Sequence, residues 1–147
     1  METIGSLCDQ LSIAVLRKMH CKDEMAIFLL KQQEDSLIQE MDHVLGSLAK
    51  GDIPIEMACK PKLKNYKHQD NTLELKESLG QAMSALIEAN NSLWNLEDTR
   101  RDKSKTDQER LAAADNVSIW NKKRNDMIDC IDNIVSKTIK QFGVKHG

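Results

Sequence analysis

The sequence predicts an all-α protein, a bundle of three or four long antiparallel helices, and three observations lead to this fold class. Apolar residues recur every three or four positions over long stretches, which is the spacing of one helix face. Leu, Ile, Met and Ala dominate the apolar content, with only two Trp, two Phe and one Tyr, and this composition favours helix over sheet. Both prolines, Pro54 and Pro61, lie in one short region, so the strongest helix breaker is missing elsewhere. The 147 residues suit a single domain, 1–147.

The charges balance, with 21 Lys and Arg against 23 Asp and Glu, a net charge of −2 and a pI near 6.1. Proteins that coat nucleic acid or an anionic membrane carry an excess of positive charge. We therefore expect neither nucleic acid nor a membrane as a partner.

The four cysteines, Cys8, Cys21, Cys59 and Cys130, contain no CxxC pair and no zinc-finger spacing. Free thiols in helical patterns behave as small apolar side chains. The first residues lack the basic start and apolar run of a signal peptide, and no stretch approaches a membrane span. These features predict a cytoplasmic protein.

The first 49 residues carry two apolar stripes with a polar patch between them. The stripes consist of Ile4, Leu7, Leu11, Val15 and Met19, then Leu30, Leu37, Met41, Val44 and Leu48. The patch at residues 20–24 contains neither Gly nor Pro, so the pattern allows one helix of more than forty residues or two, the second at about 22–49. Gly51 and Pro54 end this segment.

An irregular segment is expected at about 50–71, because it holds both prolines and the lysines Lys60, Lys62, Lys64 and Lys67. Such a connection is long for a compact bundle. It is either a solvated crossover or a loop that binds phosphate or a partner.

Two further helices are predicted at about 72–101 and 107–142. The polar stretch at 102–105 separates them, and Thr106 with Glu109 fits a capping box at the start of the last helix. Because the connection is short, these helices should form an antiparallel hairpin with its turn near residue 104.

Helix length limits how the first segment can pack. An unbroken first helix would project about 30 Å beyond the hairpin at 1.5 Å per residue, with its apolar stripe exposed. Either the chain folds back near 20–24, which we expect, or two protomers share the overhang. A homodimer is also expected, because few aromatic residues make a thin monomeric core.

Polar side chains interrupt the apolar stripes. Asn90, Glu97 and Arg124 occupy core positions, and their burial is costly unless they are paired. Counting helix levels brings Asp9 near Asn90 and places Glu97 too high to pair with Arg124. We expect Arg124 to be largely buried and to contact Asp9, Asn90, Asn91 or Asn125.

The candidate residues form either a polar network that fixes helix register or a ligand pocket between helices. They are Asp9, Ser12, Asn90, Asn91, Trp94, Glu97, Asp98, Arg101, Asn121, Arg124 and Asn125.

Three motifs resemble a known family. The run with Leu93-Trp94, Glu97-Asp98 and Arg101 resembles an N-x-x-LW-x-x-ED-x-x-R signature, residues 121–132 resemble N-x-x-RND-x-x-x-x-x-D, and residues 4–13 resemble IGxLxDxLSI. All three are similar to the bacterial Domain of Unknown Function 4254 family. The resemblance implies no established chemistry, but it does imply a link to gene clusters for envelope glycans.

Four carboxylates offer a metal-site alternative. Glu74, Glu77, Asp129 and Asp132 form two i, i+3 pairs that helix-level counting brings together. All-α nucleotide pyrophosphohydrolases resemble this, because they hold Mg²⁺ against a triphosphate with such pairs. However, the second pair begins with Asp, and the four positions flank the apolar stripes, so solvated helix faces explain them better.

We therefore expect a binding or accessory protein with no cofactor and with a small-molecule ligand that the sequence does not identify. The alternative is a Mg²⁺-dependent enzyme that resembles the nucleotide pyrophosphohydrolases.

Overall fold

The computed structural model describes residues 2–59 and 78–142, and these ranges contain five helices and no strand. The helices are α1 (Ile4–His20), α2 (Glu24–Lys50), α3 (Ile55–Ala58), α4 (Leu79–Arg101) and α5 (Asp107–Phe142). The all-α prediction is therefore confirmed. Over the same ranges, no helix is long and apolar enough to cross a membrane.

The N-terminal segment folds back as two helices. Cys21 leaves the helical conformation with φ −86° and ψ 137°, and Asp23 is also extended as the N-cap of α2. The polar patch at 21–23 is thus the break, and the expected fold-back is confirmed. Lys18 then reaches Glu34 across the α1–α2 interface at 2.6 Å, and this hydrogen bond lowers the pKa of Glu34.

The segment after α2 is less irregular than predicted. Gly51 ends α2 with φ 77°, a left-handed conformation that favours glycine. The short helix α3 follows Pro54 and brings Ala58 and Cys59, both fully buried, into the core. The prediction of an irregular segment over 50–71 is therefore wrong at 55–58, where apolar burial stabilises a helical turn. Residues 60–71 lie outside the described ranges.

The two C-terminal helices differ in how well their starts were predicted. Ser78 is the N-cap of α4 and forms a capping box with Gln81, so the predicted start near residue 72 is wrong for this helix. Residues 72–77 lie outside the described ranges. For α5 the predicted box is confirmed: Glu109 N–H donates to Thr106 Oγ1 at 3.1 Å and Thr106 N–H donates to Glu109 Oε2 at 3.4 Å.

Helices α1, α4 and α5 form the centre of the bundle. Asp9 on α1 contacts Asn90 on α4, and His20, later on α1, contacts Trp94, later on α4. These two helices therefore run parallel. Helix α5 runs antiparallel to both and forms the expected hairpin with α4. Helix α2 packs on α1. The largest fully buried apolar side chains are Leu7, Leu48, Leu86 and Ile131.

The start of α1 lies unusually close to α5. Gly5 N–H donates to Asp132 Oδ1 at 2.7 Å, and a Cβ on Gly5 would lie 2.3 Å from the carbonyl oxygen of Ile128. The Asp132 carboxylate therefore sits at the positive end of α1, where a negative charge is stabilising. Asp129 and Asp132 are 3% and 2% exposed, so their interpretation as a solvated helix face is wrong.

We predict that Gly5→Ala lowers the free energy of unfolding by about 1–3 kcal/mol, because the added methyl group must push α1 away from the α5 backbone. Gly46→Ala in α2 is the matched control, since a Cβ there meets nothing within 4 Å. It should raise the free energy of unfolding by about 0.5–1 kcal/mol through helix propensity. Urea unfolding followed by circular dichroism measures both, and equal effects would contradict the close approach.

The four cysteines form no disulfide, and three of them are buried. Burial, reinforced by the negative charge of Asp132, raises the pKa of the Cys8 thiol to about 11 and that of the Cys59 thiol to about 12. Cys130 is also buried, whereas Cys21 is partly exposed. Since the thiolate is the reactive form, Cys21 is the thiol best placed to react.

We predict that one thiol per native chain reacts rapidly with Ellman's reagent at pH 8, and that the other three react only in urea. Cys21→Ser should remove the rapid phase. A second rapid thiol, or a rapid phase that survives in Cys21→Ser, would contradict the burial described above.

Candidate functional site

Three helices meet at the carboxylate of Asp9. Arg124 on α5 binds it with two hydrogen bonds, from Nε to Oδ1 at 2.9 Å and from Nη2 to Oδ2 at 2.6 Å. Asn90 on α4 donates from Nδ2 to Asp9 Oδ1 at 3.0 Å and to Ser12 Oγ at 3.2 Å. The predicted contact between Arg124 and Asp9 is confirmed, and Ser12 joins because it lies one turn after Asp9 on α1.

The members of this polar network differ in burial. Asp9 is 5% exposed and Asn90 is 4% exposed. The side chain of Arg124 is 31% exposed, so most of it is covered, as predicted, but it is less buried than Asp9 and Asn90. Its hydrogen bond to Asp9 raises the pKa of the guanidinium further, against the effect of burial. The network is therefore a buried carboxylate that orients a partly exposed guanidinium.

A cleft of about 350 Å³ opens next to this network. It lies between α1, α4 and α5, in the half of the bundle where α1 ends at His20 and α4 ends at Arg101. The cleft is lined by Ile13, Leu16, Arg17, Asn90, Leu93, Trp94, Glu97, Asp98, Arg101, Val117, Asn121 and Arg124.

Trp94 forms a flat part of the cleft wall. Its indole stacks on the imidazole of His20, with 4.8 Å between the ring centroids and 15° between the planes. Stacking of this kind fixes the ring without a hydrogen bond. The end of α1 therefore holds Trp94 in place, and the other tryptophan, Trp120, does not line the cleft.

The cleft wall carries both signs of charge. Glu97 pairs with Arg100 at 3.0 Å and with Arg101 at 3.7 Å, and not with Arg124, as the helix levels indicated. Asp98 adds a negative charge, and Arg17 adds a positive one. The wall therefore offers both hydrogen-bond donors and acceptors and carries charges of both signs.

The structure brings together nine of the eleven candidate residues, in the network or along the cleft. Asn91 and Asn125 are the exceptions. Asn91 is exposed and faces a separate groove between α1 and α4, and Asn125 is exposed and lines neither cavity. Both share a helix with the network but point about 100° away from the preceding residue, since one helical step turns by that angle.

Sequence reasoning missed the contribution of α1 to the cleft. Ile13 and Arg17 line it, and His20 supports Trp94. A signal was present, because Asp9, Ile13, Arg17 and His20 follow each other at helical spacing. The polar patch at 20–24 was interpreted only as a break between helices, so His20 was not assigned to the cleft.

The alternative metal site has no support within residues 2–59 and 78–142. No group of three or more His, Cys, Asp or Glu side chains is placed to hold a metal ion in these ranges. Asp132 accepts the Gly5 N–H, and Glu74 and Glu77 lie outside the described ranges.

A family model described as "Protein of unknown function (DUF4254)" matches residues 80–147. The match includes Asn90, Trp94 and Arg124, and it confirms the resemblance predicted from the two C-terminal motifs. No curated protein and no solved structure matches the chain.

We predict an energetic coupling of about 1–3 kcal/mol between Asp9 and Arg124 in a double-mutant cycle with Asp9→Asn and Arg124→Leu. Each single change leaves a buried or half-buried polar group without its partner, and the double change removes both. The matched control is the exposed pair Lys122–Asp126 on α5, 2.9 Å apart, with Lys122→Leu and Asp126→Asn. Its coupling should stay below about 0.5 kcal/mol. Equal couplings, measured by urea unfolding, would contradict a special role for the Asp9 pair.

Proposed function

Because residues 80–147 match a family model of unknown function, we propose a function from the cleft itself: the protein binds a small polar ligand between α1, α4 and α5. The proposal makes it a binding or accessory protein. Bundle cores commonly hold ligand sites on facing helices, and the cleft volume of about 350 Å³ lies within the range of small-molecule sites.

The orientation of Arg124 is the observation that carries this proposal. Two of its five N–H donors bond to the buried carboxylate of Asp9, which fixes the guanidinium plane. The remaining donors are available to other partners, and 31% of the side chain is exposed beside the cleft. A pair that only fixed helix register would be replaceable by apolar side chains. A guanidinium whose plane is fixed by Asp9, and whose other donors are exposed to the cleft, is preorganised for a ligand.

The mixture of groups in the cleft favours a sugar or a nucleotide sugar. The Trp94 indole offers a flat apolar surface against which a ring can pack, and Glu97, Asn121 and Arg124 offer acceptors and donors that suit hydroxyl groups. A phosphate group would suit the guanidiniums of Arg17 and Arg101. The link to envelope glycans that the family resemblance implies is consistent with this ligand class.

The cellular setting belongs to the same proposal. Four cysteines without a disulfide fit a reducing cytoplasm, and the near-balanced charge fits a protein without a nucleic-acid or membrane partner. We also propose that the working form is a homodimer.

We predict that a nucleotide sugar changes the fluorescence of Trp94 in a saturable manner. In Trp120→Phe, Trp94 is the sole indole and reports on the cleft directly. The matched control is Trp94→Phe, in which Trp120 should not respond because it lies outside the cleft. Adding Arg124→Leu to the reporter should weaken binding at least about tenfold, as expected when a charge-assisted hydrogen bond is lost.

The panel for this titration contains monosaccharides, nucleotide sugars, and nucleoside triphosphates with Mg²⁺. No response of Trp94 to any member, or a response that Arg124→Leu leaves unchanged, would contradict the proposal. Hydrolysis of a triphosphate that is lost in Asp129→Asn would favour the alternative pyrophosphohydrolase function.

A further inference from the structure

A second cavity lies between α1 and α4, and Ser12 of the polar network is among its lining residues. It has a volume of about 580 Å³ and an open form. Leu11, Val15 and Met19 follow each other at intervals of four residues on α1, and Met83 and Ile87 do so on α4. Because α1 and α4 run parallel, these two stripes form the walls of one apolar groove.

Within residues 2–59 and 78–142, the groove is left open. Met19 is 70% exposed and Ile87 is 48% exposed. Helix α2, which could complete a four-helix arrangement over this groove, packs mainly on α1. The three residues between α1 and α2 also keep the start of α2 at the end of α1.

Three exposed apolar side chains at the start of α2, Met25, Phe28 and Leu29, form a ridge on one side of the helix. They lie within one turn and are 66%, 58% and 57% exposed. Large apolar side chains that are exposed together in this way mark an interaction surface more often than isolated ones do. The chain therefore carries a groove and a helical ridge, both apolar, that do not cover each other.

We propose that two copies of this chain form a two-fold dimer in which the α2 ridge of each copy, Met25, Phe28 and Leu29, fills the α1/α4 groove of the other. An isologous arrangement uses both surfaces of both copies and leaves neither unfilled. An amphipathic helix laid into an apolar groove is a common mode of recognition.

The area available agrees with what a stable dimer needs. A large side chain that is half exposed or more offers on the order of 100 Å². Five such residues, Met19, Met25, Phe28, Leu29 and Ile87, contribute from each copy, so they bury on the order of 1,000 Å² in total. The partly covered Leu11, Val15 and Met83 add to this and bring the interface close to the usual minimum of about 1,200 Å².

Sedimentation velocity of the full chain at about 50 μM, a concentration at which a dimer with a micromolar dissociation constant is mostly assembled, tests the proposal. We expect a species of twice the 16.7 kDa chain mass. Met19→Glu in the groove and Leu29→Lys on the ridge should each weaken the dimer at least about tenfold, because each places a charge in an apolar contact. The double variant should recover most of the loss, since Glu and Lys then face each other across the interface.

The matched control is Leu111→Glu, which changes an equally exposed leucine, 65%, that lies on α5 outside groove and ridge. It should leave the dimer intact, and circular dichroism should show that all four variants keep their helix content. A monomeric wild-type chain would overturn the proposal. A dimer that either single variant leaves intact, or that the double variant weakens as much as both singles together, would also overturn it. This test uses no ligand, so its outcome is separate from that of the binding proposal.

Discussion

The carboxylate of Asp9 is the point on which the arrangement of the three central helices depends. It accepts hydrogen bonds from α4 through Asn90 and from α5 through Arg124 while it belongs to α1. A carboxylate that is 5% exposed is costly unless its oxygens are satisfied, so a shift of any of the three helices would leave it unpaired. Apolar contacts alone would tolerate such a shift more readily. This one group therefore sets the register of the bundle.

The register has a consequence for the shape of the protein. With Asp9 beside Asn90, the next two turns of α1 place Ile13 and Arg17 along the cleft, together with Trp94 on α4. The cleft is the space that these two helices and α5 leave between them. The close approach of Gly5 to Ile128 fixes the start of α1, so a slide of this helix would break that contact. The network and the cleft thus arise from the same alignment of helices.

Local patterns were sufficient to predict the four long helices and most of the residues that line the network and the cleft. The capping box of Thr106 and Glu109 placed the start of α5, because the two side chains bond to each other's backbone within four residues. Asp9, Asn90 and Arg124 stood out because polar groups on apolar stripes need partners. The start of α4 was missed, although Ser78 and Gln81 form the same kind of box. The α1 lining of the cleft was also missed, since no single residue there broke its pattern.

The sequence by itself determined the fold class and the need of Arg124 for a polar partner, since both follow from helix periodicity and from the cost of unpaired polar groups. Only the tertiary structure decided between one helix and two over the first 49 residues, chose Asp9 among the four candidate partners, and showed that Arg124 stays 31% exposed and that Asp129 and Asp132 are buried. The reason is that a helix pattern states which residues share a face, whereas burial depends on how far the neighbouring helix extends and how closely it approaches. Both depend on contacts such as that of Gly5 with Asp132, between residues 127 positions apart.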